Sequence, residues 1–75
     1  MQVSEAINVS KRCQAADNAE IVEAHQTLDD FVDEVHRGER SVVLHDELKT
    51  AKSWRLLLKQ EMDSRKIGSF ALAAA

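Results

Sequence analysis

Proline is absent from this 75-residue sequence, and glycine occurs only twice, as Gly38 and Gly68. Both residue types interrupt helices, so their scarcity favours long helices over sheets joined by tight turns. Cys13 is the single cysteine, which excludes a disulfide within the chain. One unpaired thiol is typical of a reducing compartment. A chain of this size without disulfides is expected to rely on helix packing or on association with a partner.

Long apolar stretches are also missing. No run of about 18 apolar residues, the length from which a membrane-spanning helix is considered, occurs anywhere in the sequence. The first residues, Met1 to Glu5, lack the basic-then-apolar layout of a secretory signal. The net charge of −3 is small and indicates no general affinity for polyanions. We therefore expect a cytoplasmic protein that does not enter the membrane.

The segment from about 17 to 37 carries the clearest helical pattern. Asp17 or Asn18 suits the N-terminal cap, and Gly38 stands where a left-handed C-terminal residue is favoured. Between them, apolar residues recur every three or four positions and so line one helical face. This face consists of Ile21, Ala24, Leu28, Phe31, Val32 and Val35.

A second long helix is predicted over about 45 to 66, with Gly68 as its terminator. Its apolar face consists of Leu48, Ala51, Leu58 and Met62, flanked by Trp54 and Leu57. A weaker helix is predicted over about 4 to 16, capped at Ser4, with Ala6, Val9, Cys13 and Ala16 on one face.

These segments predict an all-α fold in which 17–37 and 45–66 form an antiparallel helical hairpin joined by a short connector. The weaker helix 4–16 packs on it, and residues 67–75 form an apolar, flexible tail. We expect one small helical domain over 1–75, a bundle completed by dimerisation or by a partner.

Charge is divided between the two long helices. Seven acids and no lysine or arginine lie between Asp17 and His36, whereas six basic residues and two acids lie between Lys49 and Lys66. We interpret these charges as pairs across the hairpin. An alternative takes the basic stripe Lys52, Arg55 and Lys59 as a surface for nucleic-acid phosphates. In a third interpretation, the acidic helix mimics nucleic acid or docks a basic partner.

Two groups of residues have side chains that could bind a metal ion or act as a nucleophile and base. His25, Asp29, Asp33 and His36 follow one helical face at spacings that allow a shared divalent ion. We interpret them as a solvated acidic face, since ligands would have to converge from several helices. Cys13 with a histidine can be drawn as a nucleophile and base, but a cysteine on an apolar face is typical of a core. We predict no metal, no cofactor and no enzymatic activity.

Three successive leucines indicate a binding surface. Leu56, Leu57 and Leu58 point about 100° apart on a helix, so one hairpin cannot bury all three. Tryptophan and arginine are enriched at the centres of protein interfaces, and both precede the leucines. The predicted partner-binding residues are Trp54, Arg55, Leu56, Leu57 and, in the apolar tail, Phe70.

Two short segments resemble known sequences. Ala71–Ala75 resembles the Leu-Ala-Ala ending by which bacterial AAA+ proteases recognise short-lived proteins, with one extra alanine. That resemblance implies a regulator that is turned over quickly, such as an antitoxin or an anti-activator. Ser41–Leu48 resembles the strand-then-helix opening of ribbon-helix-helix DNA-binding antitoxins. That family needs a second full helix, for which only residues 67–75 remain, so we do not assign the chain to it.

Taken together, these patterns predict a small, non-enzymatic helical adaptor or regulator that acts by protein–protein contact, as a homodimer or on a larger partner. The alternative is a small DNA-binding transcriptional regulator that uses Lys52, Arg55 and Lys59.

Overall fold

The computed structural model of the chain describes residues 1–38 and 45–67. This part of the chain contains three α-helices and no strand: α1 (Val3–Lys11), α2 (Asn18–His36) and α3 (His45–Arg65). Arg65, at the end of α3, donates a hydrogen bond to Asn18, at the start of α2. The two long helices therefore run antiparallel, and the predicted all-α hairpin is confirmed.

The ends of α2 follow from its sequence. The Asp17 carboxylate accepts a hydrogen bond from the Glu20 N–H at 2.8 Å, and the Glu20 carboxylate accepts from the Asp17 N–H at 3.5 Å. This reciprocal pair is a capping box, which satisfies backbone donors that the helix leaves free. At the other end Gly38 has φ +76°, and its N–H donates to the Val35 carbonyl. A left-handed residue is needed there, and glycine adopts that conformation without strain.

Helix α1 is shorter than predicted. It begins at Val3, so Ser4 is not its cap, and Gln2 in the cap position makes no side-chain capping bond. It ends at Lys11, and residues 12–16 form a turn in which the Ala15 and Ala16 N–H groups donate to the Arg12 carbonyl. The chain must reverse within these residues to reach the cap of α2. The predicted extension to residue 16 was therefore wrong, because the apolar spacing continued through a turn.

The core lies where the three helices meet. All four residues of the predicted N-terminal face are buried, including the two that lie in the turn. Ile21, Leu28 and Leu58 are completely buried, while Trp54 packs against the core and remains partly exposed. Val35 and Leu48 of the predicted apolar faces are only partly buried and pack against the core. The other residues of these faces form one buried cluster: Ala6, Val9, Cys13, Ala16, Ile21, Ala24, Leu28, Phe31, Val32, Ala51, Leu58 and Met62.

The end of α3 uses a lysine where glycine is usual. Lys66 has φ +57°, its N–H donates to the Asp63 carbonyl, and the Ile67 N–H donates to the Met62 carbonyl. These two bonds define a Schellman motif, in which an apolar residue after the turn packs back on the helix. Ile67 packs against the core accordingly. The predicted terminator, Gly68, lies outside the described residues.

We expect Lys66→Gly to raise the free energy of unfolding by about 1 kcal/mol, because a side chain in the left-handed region is strained and glycine is not. Urea denaturation followed by Trp54 fluorescence measures the change. Ser64→Gly is the matched control, since Ser64 is an exposed position within α3. Ser64→Gly should lower the free energy of unfolding by about 1 kcal/mol, because glycine within a helix is unfavourable. Equal destabilisation by both variants would contradict the role given to Lys66.

Candidate functional site

The three successive leucines of α3 have very different surroundings. Leu58 is completely buried, whereas Leu57 is 37% exposed and Leu56 is 56% exposed. The three-helix core therefore covers one leucine fully and leaves two apolar side chains at the surface. They point about 100° apart, so they belong to different surfaces of the same helix.

Leu57 belongs to a surface that we name the tryptophan groove. Trp54 and Leu57 form its α3 side, and the last turn of α1 with the following turn forms the other. The groove has a volume of about 430 Å³. Trp54 packs its inner side against the core, so the indole is held in place by its neighbours. The α1 side of the groove consists of Ser10, Lys11, Arg12, Cys13, Gln14 and Ala15.

Leu56 belongs to a second surface, the α2–α3 groove, which also measures about 430 Å³. The Arg55 guanidinium crosses this groove and donates to the Asp29 carboxylate at 3.0 Å. The pair confirms at this position the interpretation that charges of the two helices meet across the hairpin. The groove is lined by His25, Asp29, Arg55, Leu56, Lys59, Met62 and Asp63.

The structure thus divides the predicted partner-binding patch. Trp54 and Leu57 share the tryptophan groove, while Arg55 and Leu56 share the α2–α3 groove. Phe70, the fifth predicted residue, lies outside the described residues. Sequence spacing does not reveal this division, because it depends on where α1 packs against α3.

Two of the three residues of the predicted phosphate-binding stripe, Arg55 and Lys59, line the α2–α3 groove. Lys52 and Lys59 are exposed, whereas Arg55 is half-buried in its ion pair with Asp29. Asp29 and Asp63 line the same groove as Arg55 and Lys59. Two carboxylates beside the cations weaken the attraction for phosphate, because like charges repel and the salt bridge already satisfies the guanidinium.

His25 is half-buried in the same groove. Burial lowers its pKa below the ordinary value, and the positive charges of Arg55 and Lys59 lower it further, while Asp29 and Asp63 act in the opposite direction. The net shift is downward, since removing a cationic imidazole from water is unfavourable. His25 is therefore neutral at physiological pH and adds no positive charge to the groove.

The residues considered for metal binding or nucleophilic chemistry have other surroundings. Asp29 is paired with Arg55, and Asp33 and His36 are exposed further along α2. Over residues 1–38 and 45–67, no three His, Cys, Asp or Glu side chains are placed to hold a metal ion. Cys13 is 7% exposed and belongs to the core cluster.

Arg65 is a structural residue whose contacts the sequence did not predict. Its guanidinium donates to the backbone carbonyls of Cys13, Gln14 and Ala16 at 2.9, 3.3 and 2.8 Å. It also donates to the Asn18 side chain at 3.0 Å. One side chain therefore joins the end of α3 to the turn between α1 and α2. A basic residue in the last turn of a helix is explained in general by its favourable interaction with the helix dipole, which does not require these contacts.

Glu61 holds this arginine in place. The Arg65 Nε–H donates to the Glu61 carboxylate, one helical turn earlier, at 2.8 Å, and both side chains are only about one-fifth exposed. A planar guanidinium can bind a carboxylate and several carbonyls at once, which an ammonium group cannot do with the same geometry. The turn that forms one wall of the tryptophan groove is fixed in this way.

In the described part of the chain, no helix combines the length and apolar character needed to cross a membrane. Comparison of the chain with protein-family models, curated proteins and solved structures found no match.

Proposed function

We propose that the chain is a non-enzymatic, cytoplasmic helical adaptor or regulator that binds another protein through the tryptophan groove. The observation that carries the proposal is the partial exposure of Leu57 beside a half-buried Trp54 that packs against the core. A tryptophan fixed on one side and accessible on the other is typical of an interface anchor, because it offers large contact area at a small entropic cost.

The surroundings of the groove support the same proposal. Its far wall is a turn held by Arg65, so the groove keeps its shape before a partner binds. A preformed surface loses less conformational entropy on binding than one that must be ordered. Lys11 also lines the groove, and its positive charge can orient a partner with acidic side chains.

The regulatory role that we propose is that of an antitoxin-like or anti-activator-like inhibitor. In such a role the chain acts by occupying a surface of its target, for which a small helical unit with one apolar groove is sufficient.

We expect the immobilised chain to capture a specific protein from an extract of its own cells. The Leu57→Glu variant should no longer capture that protein. A buried carboxylate at the centre of the contact cannot be solvated, so affinity should fall by about a hundredfold or more. Gln60→Glu is the matched control, because Gln60 is an exposed residue one turn away on α3 and receives the same side chain.

Mass spectrometry of the captured proteins gives the result. The control should retain the protein that the unchanged chain retains, and treating the extract with nuclease should leave the capture unaltered. Equal retention by Leu57→Glu, or no specific capture at all, would contradict the proposal. Loss of capture on nuclease treatment would favour the DNA-binding alternative through Lys52, Arg55 and Lys59.

A further inference from the structure

We infer that the α2–α3 groove binds a second copy of this chain, with the two-fold axis parallel to the helices. This surface lies apart from the tryptophan groove, so the inference goes beyond the proposed function and is tested separately. It rests on how the charges are distributed along the two sides of the groove and on the exposed leucine beside it.

The two sides of the groove carry opposite charge. On α2, Asp29 lines the groove and Asp33 follows it on the same helical face, one turn later. On α3, Arg55 and Lys59 line the groove and Lys52 precedes them on the same face. Asp63 adds one acid at the far end of the α3 side, near His25. One side is thus acidic and the other predominantly basic.

The ion pair between Asp29 and Arg55 fixes the register of these two sides. Because the helices are antiparallel, one turn forward on α2 corresponds to one turn backward on α3. Asp33 therefore lies at the level of Lys52, just as Asp29 lies at the level of Arg55. At each of these two levels, an acidic residue of α2 faces a basic residue of α3 across the groove.

A symmetric dimer places the same face of both copies in contact. If the two-fold axis is perpendicular to the helices, α2 lies on α2 of the second copy, and acid meets acid. If the axis is parallel to the helices, α2 of each copy lies on α3 of the other at the same level. Asp33 then meets Lys52 of the second copy, and Asp29 meets Arg55. Charge complementarity selects the parallel axis.

Leu56 supplies the apolar part of this contact. Its side chain is 56% exposed and lines the groove together with Met62. In the arrangement with the parallel axis, Leu56 of each copy is covered by α2 of the other. An exposed leucine with complementary charges around it is the usual composition of an interface core with a polar rim.

Charge reversal tests the inference. Asp33→Lys and Lys52→Asp each change one exposed side chain, so the fold should be kept, which circular dichroism checks. Each variant alone creates two like-charge contacts in the dimer and should raise the dimer dissociation constant roughly tenfold or more. Mixing the two variants in equal amounts should restore dimerisation, because the mixed dimer contains only opposite-charge contacts.

Sedimentation equilibrium over micromolar concentrations provides the measurement, with Asp30→Lys as the control. Asp30 is an exposed acid of α2 that lines a different surface, so its reversal should leave the dissociation constant unchanged. The unchanged chain should approach twice 8.4 kDa. A constant mass of 8.4 kDa, or a dimer that the mixture of reversed variants does not restore, would overturn the inference.

Discussion

Replacing Leu58 with alanine should lower the free energy of unfolding by about 3 kcal/mol, since large-to-small changes at closed core positions cost about 2–5 kcal/mol. Leu58 is 0% exposed and lies in the cluster that joins all three helices. The cost combines the lost transfer of the side chain from water with the cavity that remains. A loss of this size is a large part of the stability of a small domain.

The neighbouring leucines are the matched controls for this prediction. Leu56→Ala makes the same chemical change at a position that is 56% exposed, and it should cost less than about 1 kcal/mol. Leu57→Ala, at 37% exposure, should fall between the two. Urea denaturation followed by Trp54 fluorescence measures all three at a low protein concentration. Equal losses of unfolding free energy for Leu56→Ala and Leu58→Ala would show that α3 does not turn Leu58 into the core and Leu56 towards the surface.

Replacing Arg65 with alanine is expected to have a comparable effect, with a loss of about 3 kcal/mol. Hydrogen bonds to a charged group contribute about 1.5–3 kcal/mol each, and part of this is offset because water replaces the guanidinium at exposed carbonyls. Arg65 donates to three carbonyls of the turn between α1 and α2, and its side chain is 22% exposed. The turn would lose its attachment to α3.

The Arg65→Lys variant separates the contribution of the guanidinium geometry to stability from that of the positive charge. The ammonium group keeps the positive charge but cannot reach Glu61 and several carbonyls together, so we expect roughly half of the loss. Arg12→Ala, which removes an exposed ion pair with Glu20, should have a smaller effect than either variant. Thermal unfolding ranks the three. If Arg65→Ala unfolds at the same temperature as the unchanged chain, the hydrogen bonds from Arg65 to the turn do not stabilise the fold.

The helices could be predicted from the sequence because each depends on local information. The spacing of Ile21, Leu28 and Phe31 reports one helical face, and the Asp17 capping box and Gly38 mark the ends of that helix. These features act within a few residues, so periodicity and end signals are sufficient to detect them. The left-handed Lys66 was not predicted, because glycine is the usual residue in that conformation and Gly68 follows two positions later.

The end of α1 and the role of Arg65 depend on distant residues. Cys13 and Ala16 continue the apolar spacing of α1, yet they lie in a turn whose carbonyls are bound by an arginine about fifty positions later. No local pattern records such a contact. Tertiary hydrogen bonds therefore decided the boundary where helix propensity and spacing predicted a longer helix.

Of the five residues named from the sequence, Trp54 and Leu57 line the tryptophan groove, whereas its α1 side was not predicted. Exposure of at least one of the three leucines follows from helix geometry alone, and Leu56 and Leu57 are indeed at the surface. Their assignment to two grooves depends on the packing of α1 and α2 on either side of α3. This division assigns the proposed partner and the inferred second copy to separate surfaces.

Site-specific photocrosslinking in the cells that produce the protein tests directly whether another protein covers Leu57. A photoreactive residue is placed at position 57 in one variant and, as a control, at position 60 in another. We expect one discrete crosslinked protein at position 57 that is absent or much weaker at position 60. Equal, diffuse crosslinking at both positions, or none at position 57, would contradict the claim that another protein covers Leu57.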